Sequence, residues 1–259
     1  MAQGKSGTSG GEGCARHVLV RVAQVAGLLL VAGVIASFVF LLTAYPVGEE
    51  AQAAIVSDDE VRVTDTGYGW YFDGEGTRDL MVFMGGAGID ERAYAPLAQG
   101  LARAGLDVVI VKAPLHFALL ALDGPARPIK ELVREGDQGY ERVIVGGHSL
   151  GGLAAGWYAS SDPDEVSALV LLAAYTTRDI DDEVACLLVA GTQDGVLNWR
   201  SYEQNKEHLS GGYREVLIEG GNHAQFGCYG EQFLDGRATI PASEQVERTV
   251  EAICSLLDG

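Results

Sequence analysis

Basic residues are scarce in this chain: 18 Lys and Arg stand against 36 Asp and Glu, a formal charge of −18 over 259 residues. A surface so acidic repels phosphate backbones, which disfavours nucleic acid as a partner. Proline is also rare, at 7, and hydrophobic residues make up 47% of the chain. With no internal repeat, that balance excludes collagen-like, low-complexity and disordered chains. Four cysteines are too few for a disulfide scaffold. There is no H-E-x-x-H, no C-x-x-C and no His cluster at ligand spacing, so no metal is expected. The glycines at 85–88 (GGAG) lack the Lys-Ser/Thr that a phosphate-cradling loop requires, and no G-x-G-x-x-G opens a helix after the first strand.

One long uncharged apolar run is present. Between Val22 and Leu42 the only polar residues are Gln24 and Ser37. At 1.5 Å per residue such a run matches a hydrocarbon core of about 30 Å. A transmembrane helix is therefore expected, with 18–45 as an uncleaved signal anchor and 1–17, Gly- and Ser-rich, as a flexible tail. The alternative is a cleaved signal peptide, for which Ala51-Gln52-Ala53 offers a small-x-small site, but the apolar run exceeds an ordinary signal core. Lys5, Arg16 and Arg21 precede the span, whereas Glu49, Glu50, Asp58, Asp59 and Glu60 follow it. The positive-inside rule then places the N-terminus in the cytoplasm and the remainder outside the cell membrane. From Pro46 on, 15 basic and 35 acidic residues give −20, which keeps that part soluble and off anionic lipid.

Residues 46–60 are small, acidic and aperiodic and are expected to form a linker to a folded domain at 61–259. Within that domain, strand-like runs fall at 61–66, 68–72, 80–84, 107–113, 142–147, 168–174, 186–191 and 214–220. Runs rich in Val, Ile and Leu, apolar on both faces, characterise parallel strands covered by helices. Helical patterns at 91–104, 150–160, 199–209 and 243–257 alternate with them. The expectation is an α/β fold: a mostly parallel central sheet with helices on both faces, an antiparallel start, and one preceding transmembrane helix. Ligands of such sheets sit at the carboxyl ends of the strands.

The chemistry-bearing residues lie at those ends. Gly147-His148-Ser149-Leu150-Gly151 joins a strand to a helix. G-x-S-x-G at that junction forces the serine into a tight, exposed turn, with glycines allowing strand and helix to approach. A hydroxyl is a poor nucleophile at neutral pH and needs a base, which in turn needs an orienting carboxylate. Asp194 follows the strand at 186–191, and His223 follows the strand at 214–220. Each also has a plainer reading. Asp194-Gly195 is a common turn pair, and His223 is one of five histidines. Asp179, Asp181 and Asp182 are rival acids in a charge-rich loop. His148, inside the elbow, is expected to pack or to support the loop. For the oxyanion, the amide of Leu150 is the first expected donor. The second is expected from the small residues after the third strand, Gly86 first and Ala87 next.

These segments together resemble the α/β-hydrolase superfamily, within its small, lid-poor members of dienelactone-hydrolase-like architecture. The resemblance rests on MGGAGIDERAYAPLAQGLARAGLDVVIVKAP, VGGHSLGGLAAGWYA, GTQDGVLN and IEGGNHAQFGCYG, and covers about 61–259. It implies a serine hydrolase without cofactor, acting on a small-molecule ester, with Ser149 as nucleophile, His223 as base and Asp194 as its orienting acid. Dienelactone hydrolases themselves use cysteine, and this elbow carries Ser149, so a dienelactone is not implied. Only 175–185 separates the last strands before Asp194, too short for a lid. Leu115, Phe117, Leu119 and Leu120 are candidate acyl-pocket residues, with Trp199 and Tyr175 at the rim. Two other readings stand beside ester hydrolysis: acyl transfer to a cell-envelope acceptor, and a catalytically silent binding module on the same scaffold. Of the cysteines, Cys14 falls on the cytoplasmic side, Cys186 is expected to be a buried small hydrophobe, and Cys228 with Cys254 is a possible pair.

Overall fold

The computed structural model describes residues 19–34, 44–76 and 78–257, in two units, Met1–Thr43 and Ala44–Gly259. In the first unit, α1 covers 19–34. Its large apolar residues are exposed, among them Leu19, Leu28, Leu29 and Leu30. No helix among the described residues is long and apolar enough to cross a membrane. The expected span at 22–42 runs on through 35–42, which lies outside the described residues, as do Cys14 and the expected tail at 1–17.

In the second unit all eight expected strands form: β1 (Val61–Asp65), β2 (Gly69–Gly74), β3 (Asp79–Met84), β4 (Asp107–Val111), β5 (Arg142–His148), β6 (Ala168–Leu172), β7 (Ala185–Gly191) and β8 (Arg214–Ile218). They make one sheet in the order β1-β2-β4-β3-β5-β6-β7-β8. β1 and β2 pair antiparallel, as do β2 and β4; every other neighbour is parallel. The helices are α2 (Glu49–Ala54), α3 (Ala95–Arg103), α4 (Ala126–Pro128, running into a π-helical turn at Ile129–Arg134), α5 (Leu150–Ser161), α6 (Trp199–Gln204) and α7 (Ala242–Leu257).

Strand alternation divides the core into two layers. Met81 and Phe83 of β3 pack on one face with Leu97 and Leu101 of α3 and Ile253 of α7. Leu80, Val82 and Met84 pack on the other with Ala154, Ala155 and Tyr158 of α5 and Tyr202 of α6. Both faces are thus apolar because both are covered, at about 1.5–3 kcal/mol for each large side chain buried. At the far end of the sheet, Asp107 at the start of β4 is buried. It accepts from the hydroxyls of Tyr71 and Tyr140 and from the Gly74 amide, which satisfies the carboxylate in the interior.

The expected linker is a correction to the sequence reading. Within 46–60, α2 buries Ala51 and Ala54 and packs on α3. The Gly48 amide donates to the Cys228 carbonyl at 2.8 Å, and Tyr45 bridges Ile89. The stretch is too short for helical periodicity to stand out, and small alanines bury little area, so its docking left no composition signal. The Cys228–Cys254 disulfide is likewise not formed, and Cys186 is buried as expected.

Strand register fixes where chemistry can occur. Met84 pairs with Gly147, His148 with Leu172, Leu172 with Val189, and Gly191 with Ile218. The carboxyl ends of β3, β5, β6, β7 and β8 therefore lie along one edge, and the loops that leave them meet there.

Candidate active site

Ser149 stands in the turn between β5 and α5 at φ 54°, ψ −121°, a region that costs an L-residue about 1–3 kcal/mol and persists only where the surroundings enforce it. Here the enforcement is backbone packing. A Cβ on Gly151 would lie 2.1 Å from the Met84 carbonyl oxygen, and one on Gly147 would lie 2.4 Å from the Gly151 carbonyl carbon. The first turn of α5 thus sits directly on the end of β3, and the Ser149 amide is tied to the Leu172 carbonyl at 2.9 Å.

Asp194 and His223 are brought together as expected. His223 Nδ1 lies 2.8 Å from Asp194 Oδ2. Asp194 Oδ1 accepts the amides of Val196 at 2.9 Å and Leu197 at 2.7 Å. The residue is thus both turn former and acid. Both side chains are nearly inaccessible, at 0% for Asp194 and 2% for His223. An ionised carboxylate only accepts, so the proton between them sits on Nδ1 and leaves Nε2 with its lone pair. That Nε2 is buried and has no hydrogen-bond partner among the described residues; Ser149 Oγ is not bonded to it in this structure. His148, adjacent to Ser149 in the chain, packs its ring against that of His223, with centroids 4.5 Å apart.

The rival acids point elsewhere. Asp179 pairs with His208 at 2.6 Å, Asp181 accepts the Glu183 amide, and Asp182 accepts the Ser210 hydroxyl. All three sit on the exposed loop before β7.

His148 is buried and holds the Tyr94 hydroxyl at 2.9 Å through Nδ1. Burial keeps its imidazole well below the ordinary histidine range. Tyr94 in turn accepts the Gly86 amide at 2.8 Å. Burial pushes the Tyr94 hydroxyl pKa upward.

This chain of bonds corrects one expectation. The Gly86 amide, the first choice for the second oxyanion donor, is spent on the Tyr94 hydroxyl. The amides of Ala87 and Leu150 have no intramolecular partner among the described residues, and both residues are partly exposed. Leu150 opens α5, where the first amides of a helix have no carbonyl to bond. The contact of Gly151 with the Met84 and Gly85 carbonyls brings that helix end against the 85–88 loop.

The rim residues divide. Leu115 and Leu120 are exposed, whereas Leu119 and Tyr175 pack partly into the core and Phe117 is half-buried. The Trp199 indole donates to the Asp194 carbonyl at 3.0 Å, so it braces the acid loop rather than lining a cleft. No helix interrupts 173–184 between β6 and β7, in line with the expected absence of a lid there. A cavity of about 410 Å³ lies elsewhere, between α2, α3 and α7, and none of Ser149, Asp194 and His223 lines it. Among the described residues no group of three His, Cys, Asp or Glu side chains could hold a metal ion. Sequence reasoning missed two residues. Tyr94 reads as a core aromatic, and Asp235 as half of another Asp-Gly turn.

A family model described as "Alpha/beta hydrolase family" matches residues 80–247, more than half of the chain. Among solved structures, the chain is similar to a dienelactone hydrolase from Anabaena variabilis, at 19% identity and a TM-score of 0.55, covering 76% of this chain and 97% of that one. An esterase from Mycobacterium tuberculosis matches at 17% identity and 0.54, covering 82% and 96%. A thermophilic esterase from the planctomycete Thermogutta terrifontis matches at 13% identity and 0.53, covering 76% and 92%. No curated protein matches the chain at a significant level.

Proposed function

The chain belongs to the alpha/beta hydrolase family, and from that premise we propose that it is a serine hydrolase cleaving a small or medium carboxylic ester through an acyl-enzyme. The observation that carries this reading is the buried Asp194–His223 pair with its unspent Nε2, together with the strained Ser149 next in the chain to His148, whose ring packs on that of His223.

In the forward step Ser149 Oγ attacks the ester carbonyl carbon while His223 Nε2 takes its proton. The carbonyl oxygen becomes an oxyanion, met by the amides of Leu150 and Ala87 and by the positive end of α5. Collapse expels the alcohol, which leaves with the proton from Nε2. Water then adds to the acyl-enzyme, gives its proton to Nε2, and the carboxylic acid departs as Ser149 regains its hydrogen. Asp194 keeps the imidazole in the Nδ1–H tautomer throughout and stabilises the imidazolium. No step calls on a cofactor.

The apolar stretch that begins in α1 supports a single-pass anchor over 18–45, with Lys5, Arg16 and Arg21 on the cytoplasmic side and the hydrolase unit outside the membrane.

The test is labelling of the full chain, in detergent, with a fluorophosphonate, wild type beside Ser149→Ala. Labelling of the wild type alone is the expected result. Equal labelling of a folded Ser149→Ala, or none of a folded wild type, would overturn the reading.

A further inference from the structure

Asp235 lies 12 residues beyond His223 in the connection from β8 to α7, and its carboxylate reaches back to the base and across to the loop that carries Asp194. Oδ1 accepts the Gly195 amide at 3.0 Å and the His223 amide at 3.3 Å, and Oδ2 accepts the Ala224 amide at 2.8 Å. The residue after the acid, the base itself and the residue after the base thus hang from one side chain. A fourth bond, from the Gly236 amide to Oδ1 at 2.8 Å, orients the carboxylate.

The segment bearing Asp235 is built against local preference. A turn closes from the Asp235 amide to the Gln232 carbonyl at 3.2 Å. It places Leu234 at φ 69°, a left-handed conformation that costs a non-glycine residue about 1–2 kcal/mol. Its two apolar side chains gain little by burial, since Phe233 is 81% and Leu234 73% exposed. What holds the turn is backbone contact with the acid loop. A Cβ on Gly236 would lie 1.8 Å from the Gln193 carbonyl oxygen, and one on Gly195 would lie 2.6 Å from that of Leu234. On the base side, Asn222 donates to the Gly236 carbonyl at 2.8 Å. A strained, poorly buried turn whose main attachments are the two catalytic loops points to those loops as its purpose.

We infer that Asp235 is a positioning residue of the hydrolytic site: its carboxylate clamps the acid loop to the base loop and so sets the 2.8 Å contact of Asp194 with His223. The inference rests on the serine-hydrolase reading above. Two loops from neighbouring strands would otherwise drift independently, and a misplacement of about 1 Å costs on the order of 10²-fold in rate. Asp235 touches no reacting atom in that reaction. Its effect belongs in kcat and in the Asp194–His223 bond, and KM should stay as it is.

The experiment compares Asp235→Ala and Asp235→Asn with wild type as the full chain in detergent micelles. Three quantities are read: kcat and KM for p-nitrophenyl acetate, the low-field proton resonance of His223 Nδ1–H, and Tm. In Asp235→Asn the amide oxygen keeps the three Oδ1 bonds, while its NH₂ meets the Ala224 amide donor. The expected loss in kcat is therefore about 10²-fold for Asp235→Ala and about tenfold for Asp235→Asn, with KM within about twofold and the low-field resonance shifted or lost in both. A folded Asp235→Ala with wild-type kcat and an unmoved resonance would overturn the inference. So would a change confined to KM, or failure of both variants to fold, which would make Asp235 a folding residue only. If wild type lacks esterase activity, the hydrolase reading fails by itself, and the resonance still reports whether Asp235 holds the dyad.

Discussion

Replacing Asp194 by Asn is a strong test of the site because the surroundings dictate how the new side chain must sit. Asp194 Oδ1 accepts two amides, from Val196 and Leu197. An Asn oxygen keeps both bonds only by taking the Oδ1 position, which turns its NH₂ toward His223 Nδ1, 2.8 Å away. Two donors would then face each other, and the imidazole answers by moving its proton to Nε2. In that tautomer Nε2 no longer accepts the Ser149 proton, and the expected loss in kcat is about 10⁴-fold. Stability should change little, since both loop amides remain satisfied. Asp194→Ala makes the contrast: it leaves the buried Leu197 amide unpaired, at about 1–3 kcal/mol, and lowers Tm as well as kcat. The assays are steady-state hydrolysis of a p-nitrophenyl ester, fluorophosphonate labelling rate and thermal unfolding. A folded Asp194→Asn within about tenfold of wild type in kcat would refute the tautomer argument, as would a fall in Tm equal to that of Asp194→Ala.

Three other expectations follow from the same geometry. Tyr94→Phe strips the partner from the buried Gly86 amide and from His148 Nδ1, so unfolding should cost about 1–3 kcal/mol less and kcat should fall with KM unchanged; denaturant titration with steady-state kinetics checks both, and an unchanged midpoint would count against the network. His148 is neutral in the folded state, its pKa held well below 6.5 by burial, whereas the unfolded chain protonates it near that value. The unfolded state therefore binds the extra proton as pH falls through 6.5, and stability contributed by this site is present above that pH and lost below it, at up to about 1.4 kcal/mol per pH unit. His148→Gln should flatten that part of the stability–pH curve, measured by urea unfolding between pH 4 and 8 at steps of about one unit, and identical slopes would sink the assignment. Gly151→Ala puts a Cβ 2.1 Å from the Met84 carbonyl oxygen, which backbone cannot yield cheaply; a loss of about 3 kcal/mol and of labelling at Ser149 is expected, and a wild-type Tm would show that the elbow is looser than described.

Much of this molecule is legible along the chain. Each strand of a parallel sheet buried on both faces is an unbroken apolar run, so β3 to β7 stand out without any knowledge of their neighbours. Parallel order with short crossovers also sends every parallel strand out at the same edge, and for that reason Ser149, Asp194 and His223, each just past a strand, could be expected at one edge from order alone. Tertiary structure decided what depends on loops meeting. Asp179, Asp181 and Asp182 follow a strand as Asp194 does, and only the path of the loops turned Asp194 toward His223 and Asp179 toward His208. The Gly86 amide went to Tyr94, leaving the Ala87 amide without a backbone partner, because a hydroxyl from the segment before α3 reaches the loop after β3. Asp235 gathered amides 40, 12 and 11 residues away. Residues 46–60, acidic and small, docked through two alanines. Hydrophobic periodicity records which face of an element is covered. It carries no record of which polar atom across a loop will find which partner, since that is settled only when the chain has closed on itself.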